Sequence, residues 1–385
     1  MLILIFSILL LPILFFIRFL RPFVLIRFGS LVSARIGHYA GNTELYLCEK
    51  DAGLQPKHPV DIFFNDKIVC NYQLKKMWDR TLNVCQITRL QRPLYIANSI
   101  LPGSKKHIIS LPSERDIYNL YERTSMHLSF TTEDERKGYE ELSKMGVSKS
   151  SKFICFIARD SAYLDTVMPN GSWKYHDYRD CDIKRLLYAA EEMSRRGYFS
   201  IRMGAVVKES LNTNNPRIID YATKYRTDFM DIYLCSKCYF FISPGIGLDA
   251  VPALFRRPIL YANFIPFEQI HSWGSNYLFI PRKLWLTSEK RFMAFREIIE
   301  SGAGRFHRTQ QYEQAGIEVI ENTPEEIRDV AVEMDERLKD TWQTTEEDEE
   351  LQQRFWSLFR KSELHGVIKA RIGRDFLRKN KDLLE

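Results

Sequence analysis

Tyr239-Phe-Phe-Ile-Ser-Pro-Gly-Ile-Gly-Leu-Asp249, closed shortly after by Ile259-Leu-Tyr-Ala262, decides the fold. Tyr239 to Ile242 is an apolar run of strand length, Ser243 to Gly247 is a glycine turn, Leu248 to Phe255 reads as a helix, and Ile259 to Ala262 is a second apolar run. Strand, helix and strand in that order make a parallel βαβ unit, because two parallel strands need a crossover long enough for a helix. Neither run alternates with polar residues, so both faces of the sheet are expected to be covered.

Working upstream, the same grammar repeats. Asp228 to Cys238 reads as a short helix and Tyr198 to Met203 as a strand. Asp182 to Arg196 carries Ile183, Leu186, Leu187, Ala190 and Met193 at helical spacing and stops at Gly197. Phe153 to Ala158 (FICFIA) opens this half as a buried strand. In the first half Phe23 to Phe28 reads as a strand running into Gly29 and Ser30, Thr43 to Cys48 as helix, and Val60 to Phe64 as a strand. Lys67 to Leu82 looks helical, and Thr132 before Glu135 signals a helix start that ends at Gly146. From Pro324 the chain is helical and charged, and its acidic run Glu346 to Glu350 reads as a solvated helix face.

Met1 to Ile17 contains no charge, and apolar character continues past Arg18, Arg21 and Pro22 to Ile26. About 20 apolar residues are needed to cross a bilayer, so the run lies at the boundary between spanning and interfacial. The arginines follow the apolar run, whereas a signal peptide carries them before it, so a retained anchor is expected. The positive-inside rule then leaves the body on the cytoplasmic face of the inner membrane. Seven scattered cysteines suit a reducing compartment, and Cys235 and Cys238 are expected as unpaired thiols. Lys and Arg number 55 against 49 Asp and Glu, an excess too small to imply nucleic acid. The divisions are residues 1–22 as anchor, 23–150 and 151–335 as two α/β domains, and 336–385 as a helical tail.

Ligands of open parallel sheets bind outside the carboxyl ends of the strands, which makes those ends the places to search. Ser243, Gly245 and Gly247 form a turn there, with Asp249 opening the next helix, and its amides would favour an anion. Arg159 and Asp160 follow FICFIA directly; a guanidinium grips phosphate oxygens as a planar fork. Arg202 ends the next strand. Trp173 to Asp180 gathers aromatics, His176, Asp177 and Arg179 into one loop, suited to stacking on a sugar or base, with Asp180 as the cap of the following helix. In the first half, His38 stands between two glycines in RIGHYAGNTE, approachable from a cleft and able to take a proton near neutral pH. Glu44 is placed to orient it or to meet a hydroxyl. No metal-ligand spacing appears, and no metal is expected.

RIGHYAGNTELYL, FICFIARDSAYL, YHDYRDCDI, GYFSIRMG, CYFFISPGIGLDAVPALFRRPILYANFIPF and HGVIKARIGRDFLRKN together resemble glycosyltransferases of bacterial surface polysaccharide synthesis. The second half is similar to the GT-B fold, and distantly to fucosyltransferases in its Arg-Asp after a strand and its Ser-Pro-Gly-Ile-Gly turn. The resemblance implies two facing Rossmann-like domains closed by the tail, with a nucleotide sugar as substrate and no cofactor. Arg159, Arg179, Arg202, Ser243, Gly245, Gly247 and Asp249 would then hold the donor, and Gly37, Asn42 and Glu44 the glycan or lipid-linked acceptor. His38, Asp160 and Asp177 compete as the base. Transfer of a hexosyl or deoxyhexosyl group would need no metal. The rival readings are a nucleotide-sugar epimerase or hydrolase, and a nonenzymatic glycan-binding scaffold.

Overall fold

Seven parallel strands in the order β13-β9-β8-β7-β4-β5-β6 form the main sheet of the computed structural model, which describes residues 2–113, 115–167, 169–359 and 363–385. They are β4 (Phe153–Phe156), β5 (Phe199–Arg202), β6 (Ile218–Ile219), β7 (Phe241–Ser243), β8 (Ile259–Phe264), β9 (Tyr277–Pro281) and β13 (Arg371–Ile372). From β4 the chain winds one way through β5 and β6, then returns beside β4 as β7 and winds the other way. Cys155 and Phe156 pair there with Phe241 and Ile242. The reversal between β4 and β7 is a topological switch point. The βαβ reading of Tyr239 to Ala262 therefore holds, and every residue of β4, β7 and β8 is buried.

A smaller parallel sheet, β2-β1-β3, precedes it: β1 (Ile26–Leu31), β2 (Val60–Asn65) and β3 (Ile108–Ile109). Phe63 and Leu31 turn into the main core, while Phe28 and Phe64 turn to the other face. An antiparallel trio, β10 (Lys283–Leu286), β11 (Arg291–Phe292) and β12 (Ile317–Ile320), stands apart from both. The helices of the first half include α1 (Leu2–Leu20), α2 (Ile36–Asp51), α3 (Tyr72–Thr81) and α4 (Gln91–Ile100).

Caps set several boundaries. Thr131 accepts from the Asp134 amide and Asp134 returns the bond, so the cap lies one residue before the expected Thr132 and its partner is Asp134 rather than Glu135. Asp182, not Asp180, caps the helix Ile183–Arg195 by accepting from the Lys184 amide. Thr345 and Asp348 cap Glu346–Ser357, placing the acidic run in a first turn where helix amides favour negative charge. The tail is not wholly helical, because β13 pairs with β9, and the helix Pro324–Leu338 runs through position 335/336. All seven cysteines are free thiols.

Candidate active site

The carboxyl ends of β1, β4, β7 and β8 open onto one cavity of about 390 Å³. After β1 come Arg35, Ile36, Gly37 and His38; after β4, Ala158, Arg159 and Asp160; after β7, Gly245 to Ala250; and at the end of β8, Phe264. Gly37 and Gly247 join the two halves at backbone distance. A Cβ on Gly37 would stand 2.8 Å from Gly247 Cα and 3.0 Å from its carbonyl oxygen. Gly37→Ala is expected to cost about 1–3 kcal/mol of stability by overpacking and to weaken ligand binding with it. Thermal unfolding checks this, and an unchanged midpoint would remove the contact from the account.

The segment Lys174–Arg179 is a 3-10 helix with Trp173 at its start. Residues three apart eclipse in a 3-10 helix, so Trp173, His176 and Arg179 share one face, and that face lines the cavity. Asp177 lies between them in sequence, is exposed and does not line the cavity. Buried Arg282 holds this segment by donating to the carbonyls of Tyr178, Arg179 and Asp180 at 3.1, 3.2 and 2.7 Å.

Positive charge collects here. Arg35, Arg115, Arg159, Arg179 and Arg226 line the cavity. Arg159 is paired with Asp180, and Arg226 with Asp228 and Asp231. Arg179 donates to the Gly245 carbonyl, and among the described residues neither it nor Arg35 has a carboxylate partner. Burial, then the neighbouring Arg179, pulls Arg159 down to about 10. His176 is pulled down to about 4, first by burial and then by Arg179, Arg159, Arg35 and Arg308. The ring is therefore neutral at pH 7.

That shift has a signed consequence. The unfolded value is about 6.5, so the folded state binds fewer protons between pH 6.5 and about 4. Its contribution to stability is whole above pH 6.5 and is lost as pH falls towards 4. An NMR titration should give His176 a pKa near 4 in the free protein. With pyrophosphate bound, the value should rise as the arginines are neutralised; a value unmoved by pyrophosphate would place the anion elsewhere.

Helix α2 has sixteen residues and its first turn lines the cavity, so its unpaired amides supply the helix N-terminus. The expected helix from Leu248 is instead a 3-10 turn, Gly247–Asp249, and a five-residue helix, Ala250–Leu254. Gly245 needs its glycine: its φ is +84°, and a Cβ would meet the Phe264 ring at 2.8 Å. The opposite wall is aromatic, with His271 stacked on Trp273 at 3.9 Å between centroids. Trp273 in turn stacks on Tyr121.

No family model matches the chain, and no curated protein sequence matches it. Among solved structures the chain is similar to the glycosyl transferase family 9 protein from Veillonella parvula DSM 2008, with 13% identity and a TM-score of 0.46 over 82% of this chain and 97% of that one. It is also similar to the E. coli ADP-heptose lps heptosyltransferase II, with 13% identity and a TM-score of 0.38 over 67% of this chain and 90% of that one. The functional reading rests on the cavity itself.

Of the expected site residues, His38, Gly37, Arg159, Asp160, Arg179, Gly245, Gly247 and Asp249 come together there. His38 Nδ1 lies 3.4 Å from Asn42 Oδ1, one helical turn on. Asn42 itself is buried behind the ring and does not line the cavity. Asp160 lines it but accepts from the amides of Ala162 at 2.9 Å and Lys208 at 3.1 Å.

Asn42, Glu44, Asp177, Arg202 and Ser243 lie outside that lining. Arg202 is buried, donates to the Glu209 carbonyl at 2.6 Å and pairs with Asp220, bordering a second cavity that shares Ala158, Arg159 and Asp160 with the first. Ser243 is buried within the turn, donating to Asp249 Oδ2 and accepting from the Gly245 amide. Glu44 is fully buried and bound to Arg256 at 2.8 Å and His127 at 3.2 Å, so it meets no acceptor. Cys48 completes that trio, which Arg256 also reaches at 3.6 Å.

Proposed function

We propose that the chain is a glycosyltransferase of GT-B type that takes a hexosyl or deoxyhexosyl group from a nucleotide sugar to a glycan or lipid-linked acceptor of surface polysaccharide synthesis. One observation carries the reading: Arg159 and Arg179 converge with Arg35 and the α2 N-terminus at the switch point of a parallel sheet, facing an aromatic wall. A nucleoside diphosphate has that chemistry, two adjacent phosphates and a planar base. Arginines and helix amides neutralise the leaving diphosphate, the work a divalent cation does in metal-dependent transferases.

The step balances with this chain's own groups. The His38 imidazole takes the acceptor hydroxyl proton while that oxygen bonds to the anomeric carbon. The bond from the anomeric carbon to the phosphate oxygen breaks, and the nucleoside diphosphate leaves with the electron pair against the arginines. Asn42 fixes the ring as a positioning residue. An acceptor carried on a lipid at the cytoplasmic face of the inner membrane suits the apolar α1.

Calorimetric titration with UDP, GDP, ADP and CMP tests the binding part. Selective micromolar affinity for one nucleotide is expected; a folded protein that binds none overturns the reading.

A further inference from the structure

Helix α1 carries an uneven coat. Ser7 and Leu14 are buried, and Leu10, Leu11, Ile17 and Arg18 are half-buried, all on one stripe. Along this stripe Leu14 packs with Leu94, Ala97 and Leu101 of α4 and its end, and Arg18 donates to Asn98. Leu4, Leu9, Phe16 and Phe19 are exposed on the rest of the helix, and Phe23 beyond its end is 85% exposed.

This packing decides between two ways of meeting a bilayer. Nineteen residues make a helix about 28 Å long, of which the stretch from Ser7 to Arg18 is held against the body for about 16 Å. Spanning would carry α4, with Gln91, Arg92 and Asn98, into lipid.

The charge around α1 names the surface. Residues 1–43 and 80–113 contain no Asp or Glu, yet hold Arg18, Arg21, Arg89, Arg92, Lys105 and Lys106 among their basic residues. Arg21 reaches to within 3.9 Å of where a Cβ on Gly103 would stand, and Lys105 and Lys106 follow, exposed. Arg18, Asn98 and the Ser104 carbonyl link that turn to α1.

We infer that α1 lies flat in the headgroup region of an anionic bilayer, its exposed apolar face in the leaflet and the cluster of Arg21, Lys105 and Lys106 on the lipid phosphates. The inference does not depend on the transferase reading. Binding of the full chain to phosphatidylcholine vesicles with and without phosphatidylglycerol tests the charge. R21Q/K105Q/K106Q, which removes three charges, should weaken binding to the anionic vesicles about a hundredfold, at about 1 kcal/mol per charge, and equal binding by both proteins overturns it.

Depth tests the orientation. With Cys70 and Cys85 replaced by serine, a fluorophore on Leu4→Cys or Phe16→Cys is quenched by lipids brominated at known depths. A flat helix gives both positions the same shallow depth, about 5–10 Å below the headgroups. Depths differing by about 18 Å mean that the helix spans, and absence of quenching in a dimeric protein means that a second copy covers the face; either result overturns the inference.

Discussion

His38→Ala is expected to keep nucleotide affinity within about twofold and to lower the transfer rate about 10²–10⁴-fold, the usual worth of a positioned general base. The ring stands at the mouth of α2 in the cavity wall, with Nδ1 3.4 Å from Asn42 Oδ1. Neither rival carboxylate is as well placed. Asp177 is exposed outside the cavity, and Asp160 is spent on two backbone amides. Single-turnover transfer and nucleotide titration on the same preparation separate the terms. Turnover within threefold of the parent would move the base away from His38.

Arg179→Ala should lower nucleoside diphosphate affinity about 10–100-fold, the range for a hydrogen bond to a charged group worth about 1.5–3 kcal/mol. The guanidinium has a carbonyl partner but no carboxylate, so its charge remains available to a ligand. Arg179→Lys should recover little, because an ammonium does not reproduce the planar fork. Arg202→Ala provides the contrast. It breaks a buried pair with Asp220 at an adjoining cavity that shares Arg159 and Asp160, so it should lower stability and change affinity less than Arg179→Ala does. Calorimetry on the three variants reads all of this, and equal affinity in Arg179→Ala would remove the diphosphate grip.

The parallel strands were legible because burial on both faces leaves continuous apolar runs such as FICFIA and YFFI. Strand order was not. Arg159 and Arg202 end neighbouring strands and look equivalent in sequence, but β4 sits beside the switch point while β5 lies a strand further out. Helix α2 was read too short because Gly37 and Gly41 suggested a loop, whereas Gly37 is a contact residue against Gly247. Once α2 is continuous from Ile36, residues four apart share a face, which joins His38 to Asn42 and turns Glu44 away.

The 173–180 segment carried a usable signal. Trp173, His176 and Arg179 recur every third residue, the 3-10 period, and that spacing excludes Asp177 from their face. Arg35, Arg115 and Arg226 had no such signal, since they come from three separate connections that only the packing of the two halves unites.

The most direct test is transfer itself. A radiolabelled nucleotide sugar, of the base chosen by the binding titration, is incubated with the full chain and a lipid extract carrying candidate acceptors. The account predicts label in the solvent-extractable glycolipid with the parent protein and its loss with His38→Ala. Release of free sugar at one rate with and without the extract would contradict it, and would make the cavity that of a hydrolase.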